Sequence, residues 1–401
     1  MKIIYLHQYF VTPDQGGGTR SYEFARRLVA AGHSVEIVTS DRSVDRPTWE
    51  RSSLDGFVVH RVGVEYSNNM SFDRRILAFA KFAQRCASKA VELKGDVVFA
   101  TSTPLTIALP GVYASRRRRV PFVFEVRDLW PEIPIAMGAL PNPLMRIAAR
   151  GLEQLAYRSA KHVVTLSPGM QAGVVRAGIP IERTSVIPNS CDFDIFDLPP
   201  ARGEEFRRNH EWLGDRPLIV YAGTLGLANG VKWLVRVAKE ALTIDPEVRF
   251  LVIGEGKEKE EIRSLAKELD VLGVNFFQEP GMKKEEVAQV LSAATIATSL
   301  FIPCAALEHN SANKFFDALA AGRPVATNGA GWISELLVER NCGLRLDLDP
   351  GRAAAQLIER TQDTEWLRQA GSASQALGRE RFDRDNLAAQ LEQILRDVVR
   401  G

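Results

Sequence analysis

Residues 308–327 read EHNSANKFFDALAAGRPVAT, a pattern that predicts a short helix from about residue 313 and then a strand. Asp317 lies four residues after Asn313, so both fall on one helix face, and Lys314 lies in the same turn. A helix N-terminus presents unpaired N–H groups and a partial positive charge, which suit a phosphate group. The stretch therefore predicts a nucleotide site in an α/β protein, although an ordinary amphipathic helix with a buried apolar face fits the same residues.

Short apolar segments alternate with amphipathic segments along the whole chain, which is the pattern of parallel α/β sheets. The predicted strands are 2–7, 34–40, 97–101, 121–126, 162–167, 218–223, 249–254, 274–278, 296–300, 324–328 and 343–347. The predicted helices are 19–31, 73–93, 143–159, 168–177, 231–243, 257–269, 284–293, 313–321, 332–338 and 383–399. We therefore expect two doubly wound domains, joined by the polar segment 189–215, with ligands bound beyond the carboxyl ends of the strands in a shared cleft.

The composition is that of a globular protein, with 401 residues, 45% of them apolar and 25% charged. No apolar run approaches the ~20 residues needed to cross a bilayer, and the first ten residues indicate a buried strand, not a signal peptide. The four cysteines lack Cys-x-x-Cys or Cys/His spacing, as expected for reduced thiols in a cytoplasmic protein. Residues 1–190 hold 25 Lys/Arg against 16 Asp/Glu, whereas the remainder holds 26 against 33, so the two halves predict different partners.

Three glycine turns each follow a predicted strand. They are Gly16-Gly17-Gly18, Gly223-Thr224-Leu225-Gly226 with Asn229-Gly230 after it, and Gly254-Glu255-Gly256. Glycine lets backbone N–H groups approach a bound anion closely, and Arg20 beside the first turn favours anion binding. The spacing is not GxGxxG, so a dinucleotide fingerprint is not predicted, and each turn alone is also compatible with a flexible connection.

Two charged residues, Arg127 and Asp128, follow the predicted strand 121–126 and are expected at the ligand edge of the first sheet. They suit binding of a sugar or activation of an acceptor hydroxyl, while a structural Arg–carboxylate pair is the alternative. Two Asp-x-Asp spacings, 192–194 and 347–349, fit turn chemistry better than a metal site. Neither these pairs nor the six histidines predict a metal.

Cations and apolar side chains interleave in the segment 72–85, and four arginines follow one another at 116–119. An amphipathic helix with aromatic anchors and flanking cations suits an anionic membrane surface. A helix that packs on the sheet with a solvated basic face is the alternative. Nucleic acid is not a predicted partner, because no nucleic-acid-reading motif accompanies the charge.

In chain order, seven motifs resemble those of GT-B glycosyltransferases, specifically retaining family 4 and its bacterial O-antigen and capsule branch similar to L-fucosamine transferases. The motifs are HQYF…GGGTRSYEFARRLVAAGH, EVRDLWPE, TLSPGM, VIPNSCD, YAGTLGLANG, VIGEGKEKE and EHNSANKFFDALAAGRPV. The resemblance implies an α/β GT-B fold with two Rossmann-like domains facing across a cleft. Residues 1–190 would take the acceptor, 191–382 the nucleotide sugar, and the last helix at 383–401 would pack back on the first domain.

The resemblance also implies roles for individual residues. Glu308 would lie near the donor sugar, Asp317 would bind the ribose hydroxyls, and Asn313 and Lys314 would meet the diphosphate. The other predicted substrate-binding residues are Gly17, Gly18, Arg20, Asn189, Gly223, Thr224, Asn229, Gly254 and Gly256. Arg127 and Asp128 complete the predicted catalytic set with Glu308 and Lys314.

This chain departs from the family pattern at four positions. Asp317 replaces the usual Glu, and it follows Glu308 by nine positions, one more than the commonest spacing. Thr224 and Asn229 stand where many members carry Arg and Lys, which makes Lys314 the main predicted cation for the diphosphate. Arg127 stands where many members carry His.

The implied enzyme is a retaining hexosyltransferase that moves an N-acetylated hexosamine or deoxyhexosamine from a UDP donor. Its acceptor would be lipid-linked or an oligosaccharide in surface polysaccharide or lipopolysaccharide synthesis. It would need no cofactor or metal, and it would be cytoplasmic and peripheral on an anionic inner membrane face. A UDP-sugar 2-epimerase and a catalytically silent assembly scaffold are the alternatives.

Overall fold

The strands of this protein form two parallel sheets in a computed structural model that describes residues 1–15, 17–67, 70–138 and 140–401. Gly16 of the first predicted glycine turn lies outside the described residues, as does the side chain of Phe72. Contacts divide the chain into two units. The first comprises Met1–Pro13, Gly17–Pro188 and Asp385–Gly401, and the second is built on Asn189–Arg384.

The first unit contains an eight-stranded sheet in the order β3-β4-β2-β1-β5-β6-β7-β8, parallel except for β3. Its strands are β1 Lys2–Leu6, β2 Ser34–Asp41, β3 Trp49–Leu54, β4 Phe57–Gly63, β5 Val97–Thr101, β6 Phe122–Val126, β7 His162–Thr165 and β8 Thr184–Val186. Its helices are α1 Arg20–Ala30, α2 Phe72–Glu92, α3 Ala108–Arg118, α4 Glu132–Ala136, α5 Pro143–Ser159 and α6 Pro168–Arg176. The strand order reverses between β1 and β5, which makes this point of the carboxyl edge the expected ligand position.

The hairpin of β3 and β4 is absent from the sequence-based prediction. Asp55 and Gly56 connect its strands with φ angles of 43° and 84°, the positive values that a two-residue hairpin turn requires. The Asp-Gly pair signals this turn, but β3 is largely exposed at the sheet edge and therefore lacks the apolar pattern of the other strands.

The second unit contains a six-stranded parallel sheet in the order β11-β10-β9-β12-β13-β14. Its strands are β9 Leu218–Ala222, β10 Arg249–Ile253, β11 Phe276–Glu279, β12 Ile296–Thr298, β13 Val325–Thr327 and β14 Gly343–Arg345. Its helices are α7 Phe193–Phe196, α8 Pro200–Arg208, α9 Val231–Ile244, α10 Lys259–Glu268, α11 Lys284–Ala293, α12 Asn313–Ala320, α13 Trp332–Glu339, α14 Pro350–Gln362 and α15 Thr364–Arg381. This is the Rossmann strand order, with its switch point between β9 and β12.

The predicted linker at 189–215 is wrong, because the segment folds into the second unit as α7 and α8. Phe196 and Leu213 are buried in the second core. The Arg207 guanidinium donates to the carbonyl of Ala293 at the end of α11, which satisfies a helix C-terminus. The polar composition of this segment therefore predicted a linker, although contacts with distant residues make it part of the packed second unit.

The last helix, α16 Arg384–Arg400, places its apolar face in the core of the first unit. Leu391 and Leu395 are fully buried there beside Tyr5. His33 contacts Glu392 at 2.9 Å on the same helix. Among the described residues, no helix combines the length and the apolar character that crossing a bilayer demands.

Candidate functional site

The switch point of the second sheet lies where β9 and β12 end side by side, and α12 begins with the predicted phosphate residues. The residue before α12 is Ala312, which has no side-chain oxygen for capping, and the first turn carries no acidic residue. No capping carboxylate in the first turn would therefore compete with an anion for the first N–H groups of α12. Asn313, the first residue of the helix, is exposed.

Lys314 reaches from α12 to the turn that follows β9. Its Nζ donates to Asn229 Oδ1 at 2.7 Å. The same ammonium lies 4.8 Å from the ring centre of Tyr221 and 5.3 Å from that of Phe301. Tyr221 lies near the end of β9 and Phe301 lies shortly after β12, so aromatic faces from both strand ends position the cation by cation–π attraction.

Burial lowers the pKa of Lys314 to about 7, far below the ordinary value of a lysine. None of the carboxylates in the described ranges forms an ion pair with its ammonium. Within the part of the chain that the structure describes, its side-chain hydrogen-bond partner is the neutral amide of Asn229. The site is therefore short of negative charge, and a bound diphosphate would restore the full charge of the lysine.

The glycine turns allow close packing around this lysine. A Cβ on Gly223 would stand 3.0 Å from Lys314 Cε, so glycine leaves room for the lysine side chain. A Cβ on Gly254 would lie 1.9 Å from the Gly223 carbonyl oxygen, and one on Gly256 would lie 2.1 Å from that of Leu225. Gly254 and Gly256 thus let the two turns pack together, which is a structural role beside their predicted role in ligand binding. Thr224 is exposed at this turn, and its backbone carbonyl accepts a hydrogen bond from the Tyr221 hydroxyl.

Glu308 is half-buried on the loop before α12, and Gly331 fixes its backbone. A Cβ on Gly331, which has a φ of 100°, would lie 2.2 Å from the Glu308 carbonyl oxygen. Trp332 Nε1 donates to the Asn310 carbonyl at 2.9 Å on the same loop. Glu308 also lines a cavity of about 250 Å³ that includes Arg345. These contacts hold the loop in place, and with it the backbone that carries the Glu308 carboxylate.

Asn189, a predicted ligand contact, supports this loop, and its contact with a ligand stays a prediction. Its side-chain amide donates to the Ser311 carbonyl at 2.6 Å, two residues before α12 begins. The residue is buried, and its Oδ1 has no hydrogen-bond partner in the described structure.

Asp317 lies one turn into α12, and burial raises the pKa of its carboxyl to about 6. Lys284 and Arg384 oppose this effect, whereas the charge of Asp192 adds to it. Asp192 itself accepts from both cations, at 3.2 Å from Lys284 Nζ and 3.1 Å from Arg384 Nη2. Asp317 therefore remains ionised at neutral pH, the form that accepts hydrogen bonds from ribose hydroxyls.

Arg20 does not have the anion-binding role predicted for it. Its guanidinium is 4% exposed and donates to Glu125 Oε1 at 2.8 and 3.0 Å and to the carbonyls of Ile187 and Pro188. The guanidinium carbon of Arg20 also lies 4.4 Å from the ring centre of Phe24. Its donors are occupied within the first unit, so Arg20 compensates the buried carboxylate of Glu125.

Arg127 and Asp128 directly follow β6 at the carboxyl edge of the first sheet, one strand away from its switch point. The Arg127 N–H donates to Ser102 Oγ at 2.9 Å, and the Thr103 hydroxyl donates to Asp128 Oδ2 at 3.3 Å. Burial raises the pKa of Asp128, while Arg127 and the Thr103 hydroxyl oppose the shift. His7, which is not among the predicted site residues, contacts Arg127 here; its signal in the sequence is its place directly after β1.

Gly17 and Gly18 lie before α1, and Gly17 has a φ of 130° that favours glycine. Their predicted approach to the donor phosphate stays a prediction. Asp349 caps α14 by accepting from the Arg352 N–H at 2.9 Å, the turn chemistry expected for the second Asp-x-Asp pair. Within residues 1–15, 17–67, 70–138 and 140–401, no three His, Cys, Asp or Glu side chains group as metal ligands do.

Comparison with known families matches both halves of the chain. Residues 15–190 match a family model described as a glycosyl transferase 4-like domain, and residues 216–363 match one described as glycosyl transferases group 1. No curated protein matches the chain.

Solved structures with the same fold cover nearly the whole chain. A sucrose-phosphate synthase from Thermosynechococcus elongatus is 17% identical over 99% of this chain and 98% of its own, with a TM-score of 0.78. Anabaena HepE in complex with UDP-glucose is 18% identical over 99% and 100%, with a TM-score of 0.73. WaaG, a glycosyltransferase involved in lipopolysaccharide biosynthesis, is 15% identical over 98% and 99%, with a TM-score of 0.73. These likenesses confirm the predicted α/β GT-B fold.

Proposed function

The protein is a glycosyltransferase with the GT-B fold, and we propose that it transfers a sugar from a UDP donor to a lipid-linked or oligosaccharide acceptor with retention at the anomeric carbon. The observation that carries the proposal is Lys314, a cation without a carboxylate partner among the described residues, at the open N-terminus of α12. A diphosphate supplies the negative charge that this position lacks.

The chemistry follows from where charge develops. The bond between the anomeric carbon and the β-phosphate oxygen breaks, and the leaving UDP gains negative charge that Lys314 and the α12 N–H groups stabilise. The acceptor oxygen forms the new bond and gives up its proton to a base. Asp128, the base predicted from the sequence, has a raised pKa that suits this role. Glu308 stabilises the positive charge of the sugar from its supported loop.

Several observations support the finer parts of the proposal. HepE, a structural neighbour, is described with UDP-glucose, which supports a UDP donor. WaaG is described in lipopolysaccharide biosynthesis, which supports a role in surface polysaccharide synthesis. The resemblance of the motifs to the L-fucosamine transferase branch supports an N-acetylated hexosamine or deoxyhexosamine as the transferred sugar.

A thermal-unfolding assay with UDP and a panel of UDP-sugars tests this function. A ligand at about 100 times its Kd stabilises the fold by about 2.7 kcal/mol, so we expect UDP to raise the melting temperature and the true donor to raise it further. Incubation of that donor without acceptor should leave the sugar unchanged, whereas a 2-epimerase would convert it. A melting temperature that no uridine nucleotide raises would contradict the proposal.

The acceptor side of the proposal includes an anionic membrane. Helix α3 packs against both α2 and α5, and these three helices carry large exposed apolar side chains. Leu77 on α2 is 67% exposed and Leu144 on α5 is 73% exposed, with Tyr113 of α3 also exposed. The arginines at 116–118 close α3. Apolar side chains among arginines are what an interfacial helix presents to anionic lipid.

Replacement of both Leu77 and Leu144 by aspartate tests the membrane surface. We expect wild-type protein to sediment with phosphatidylglycerol vesicles in a salt-sensitive way, and the double variant to bind at least about tenfold more weakly because it loses buried apolar area and gains repulsion. Val274→Asp is the matched control, since Val274 is an exposed apolar residue of the second unit. Equal binding by all three proteins, or no binding by wild type, would overturn the membrane proposal.

A further inference from the structure

A cavity of about 390 Å³ opens at the amino edge of the second sheet, a size that suits a small-molecule ligand. Thr295 and Pro324, which directly precede β12 and β13, lie in its wall. Helix α12 begins at the opposite, carboxyl edge of the same strands, so this amino-edge cavity is separate from the proposed diphosphate site. Its other polar lining residues are Glu204, Arg207, Ser292, Arg323 and Arg368.

Two arginines in the wall of the amino-edge cavity converge on the last turn of α11. Arg207 donates from Nε and Nη2 to the Ala293 carbonyl, at 3.1 and 2.6 Å. Arg323 donates from Nη1 to the Ala294 carbonyl at 3.1 Å and from Nη2 to the Ser292 carbonyl at 2.6 Å. The three carbonyls are consecutive at one helix C-terminus, so the two guanidiniums lie close to each other.

The charges of these two arginines are not balanced by carboxylates. An arginine keeps its proton in proteins, and in the described structure both guanidiniums donate to backbone carbonyls only. Burial lowers the pKa of Arg323, and the charge of Arg207 lowers it further. Burial also lowers the pKa of Arg207, opposed by Asp215, which is exposed and does not line the cavity. With about half a negative charge at the α11 C-terminus, the pair keeps a surplus of about +1.5.

The remaining charges that line the cavity have partners on their own helices. Arg368 Nη2 lies 2.7 Å from Glu365 Oε1, and Glu204 Oε2 lies 3.9 Å from Arg208 Nη1. All four of these residues are exposed. The surplus charge is therefore that of the two half-buried arginines.

Arg323 also keeps N–H groups for a ligand. A guanidinium has five N–H groups, and the hydrogen bonds of Arg323 use one on Nη1 and one on Nη2, which leaves the second N–H of each nitrogen. Ser292 lines the same cavity at 7% exposure, and its Oγ has no hydrogen-bond partner in the described structure. Unused polar groups beside a surplus of positive charge indicate an anionic ligand.

The surplus charge indicates which anion fits. A phosphate monoester carries about −1.5 to −2 charges at pH 7, which matches the surplus, and its oxygens accept paired N–H groups from arginine. A carboxylate carries a single charge. Pro200, Pro324 and Leu367 add apolar wall, so the cavity also accommodates an organic group next to the phosphate.

We propose that the amino-edge cavity binds a phosphate monoester of a small organic molecule, with Arg323 and Arg207 as the cationic residues of the site. The proposal goes beyond glycosyl transfer and does not depend on it, because the cavity and the diphosphate site lie at opposite edges of the sheet.

Calorimetric titration of phenyl phosphate into UDP-saturated protein tests the site, since UDP then occupies the end of α12. We expect wild type to bind one equivalent, and benzoate, a carboxylate of similar shape, to bind more weakly. Arg323→Gln should bind phenyl phosphate at least about tenfold more weakly because it loses charged hydrogen bonds. Arg202→Gln is the matched control, since Arg202 is exposed on α8 and does not line the cavity.

A second variant covers the case that Arg323→Gln does not fold, because Arg323 also binds the end of α11. Glu204→Lys changes an exposed residue that lines the cavity and adds positive charge there. We expect it to lower the Kd of phenyl phosphate about threefold or more.

Lys314→Met, studied at a UDP concentration that saturates it, should leave the Kd of phenyl phosphate unchanged. Failure of wild type to bind UDP would contradict the proposed function, while the effect of Arg323→Gln would still test the cavity. Three results would overturn the phosphate site: no binding of phenyl phosphate, equal Kd values in Arg323→Gln and Arg202→Gln, or an unchanged Kd in Glu204→Lys. Benzoate binding as tight as that of phenyl phosphate would overturn the choice of a phosphate monoester.

Discussion

Replacement of Lys314 by methionine is expected to lower turnover of the true donor about 100- to 1,000-fold, because one preorganised charge opposite the leaving group contributes that much to catalysis. Lys314 is suited to this task by its place at the α12 N-terminus and by its aromatic neighbours. Asn229 holds the ammonium without neutralising it, so the charge is free for the diphosphate. Steady-state kinetics with saturating acceptor measure the effect.

The same substitution should leave the fold at least as stable as wild type. In the folded protein the pKa of Lys314 is about 7, whereas an unfolded lysine titrates near 10.4. Between about pH 7 and pH 10 this lysine is protonated in the unfolded chain but mostly neutral in the folded protein, so the free energy of unfolding rises with pH across this range. The lysine therefore destabilises the fold most below about pH 7. The advantage of the variant should be largest below about pH 7 and should fade toward pH 10, as thermal melts would show.

Lys267→Met is the matched control, because Lys267 is an exposed lysine near the end of α10 in the same unit. It should keep both wild-type turnover and wild-type stability. Near wild-type turnover in Lys314→Met would contradict the role of this lysine. A folded but inactive variant would support it.

Replacement of Arg20 by alanine is expected to lower the free energy of unfolding by about 3–5 kcal/mol, since it leaves a buried carboxylate unpaired. Glu125 is 0% exposed, and besides Arg20 the Thr101 hydroxyl donates to its other oxygen at 2.5 Å. That single hydroxyl cannot replace a guanidinium that also holds the carbonyls of Ile187 and Pro188. Urea unfolding measures the loss.

Arg26→Ala controls for the removal of a cation from the same helix. Arg26 is half-exposed, and its partner Glu23 keeps an ion pair with Arg27 after the change, so we expect a loss of only about 0–1 kcal/mol. If Arg20→Ala has the free energy of unfolding of wild type but binds UDP more weakly, Arg20 has the anion-binding role predicted from the sequence.

The comparison of Lys314 and Arg20 shows what sequence patterns reveal. Both are basic residues at the start of a helix after a polar or glycine-rich turn, so both patterns predict anion binding. Arg20 differs because Glu125, 105 residues away in the chain, occupies its guanidinium. Periodicity locates strand ends and helix starts, but only the folded chain determines which side chains already have partners.

The same reasoning explains the other differences. Parallel strands at the centre of each sheet follow their apolar pattern and are predicted, whereas the edge strand β3 is polar and is not. The helices α7 and α8 depend on contacts such as that of Arg207 with α11, which no local pattern contains. His7 contacts Arg127, 120 residues later, which no local pattern contains either.

Calorimetric titration of UDP into wild type and Lys314→Met at about pH 8 tests the central claim most directly. At this pH the terminal phosphate of UDP, with a pKa of about 6, is already ionised, while Lys314 with its pKa of about 7 is mostly neutral. Wild type should take up close to one proton when UDP binds, which is measured from the binding heats in buffers of different ionisation enthalpy. Lys314→Met should bind UDP at least about tenfold more weakly and should not take up that proton. Equal affinity and equal proton uptake in the two proteins would contradict a diphosphate site at Lys314.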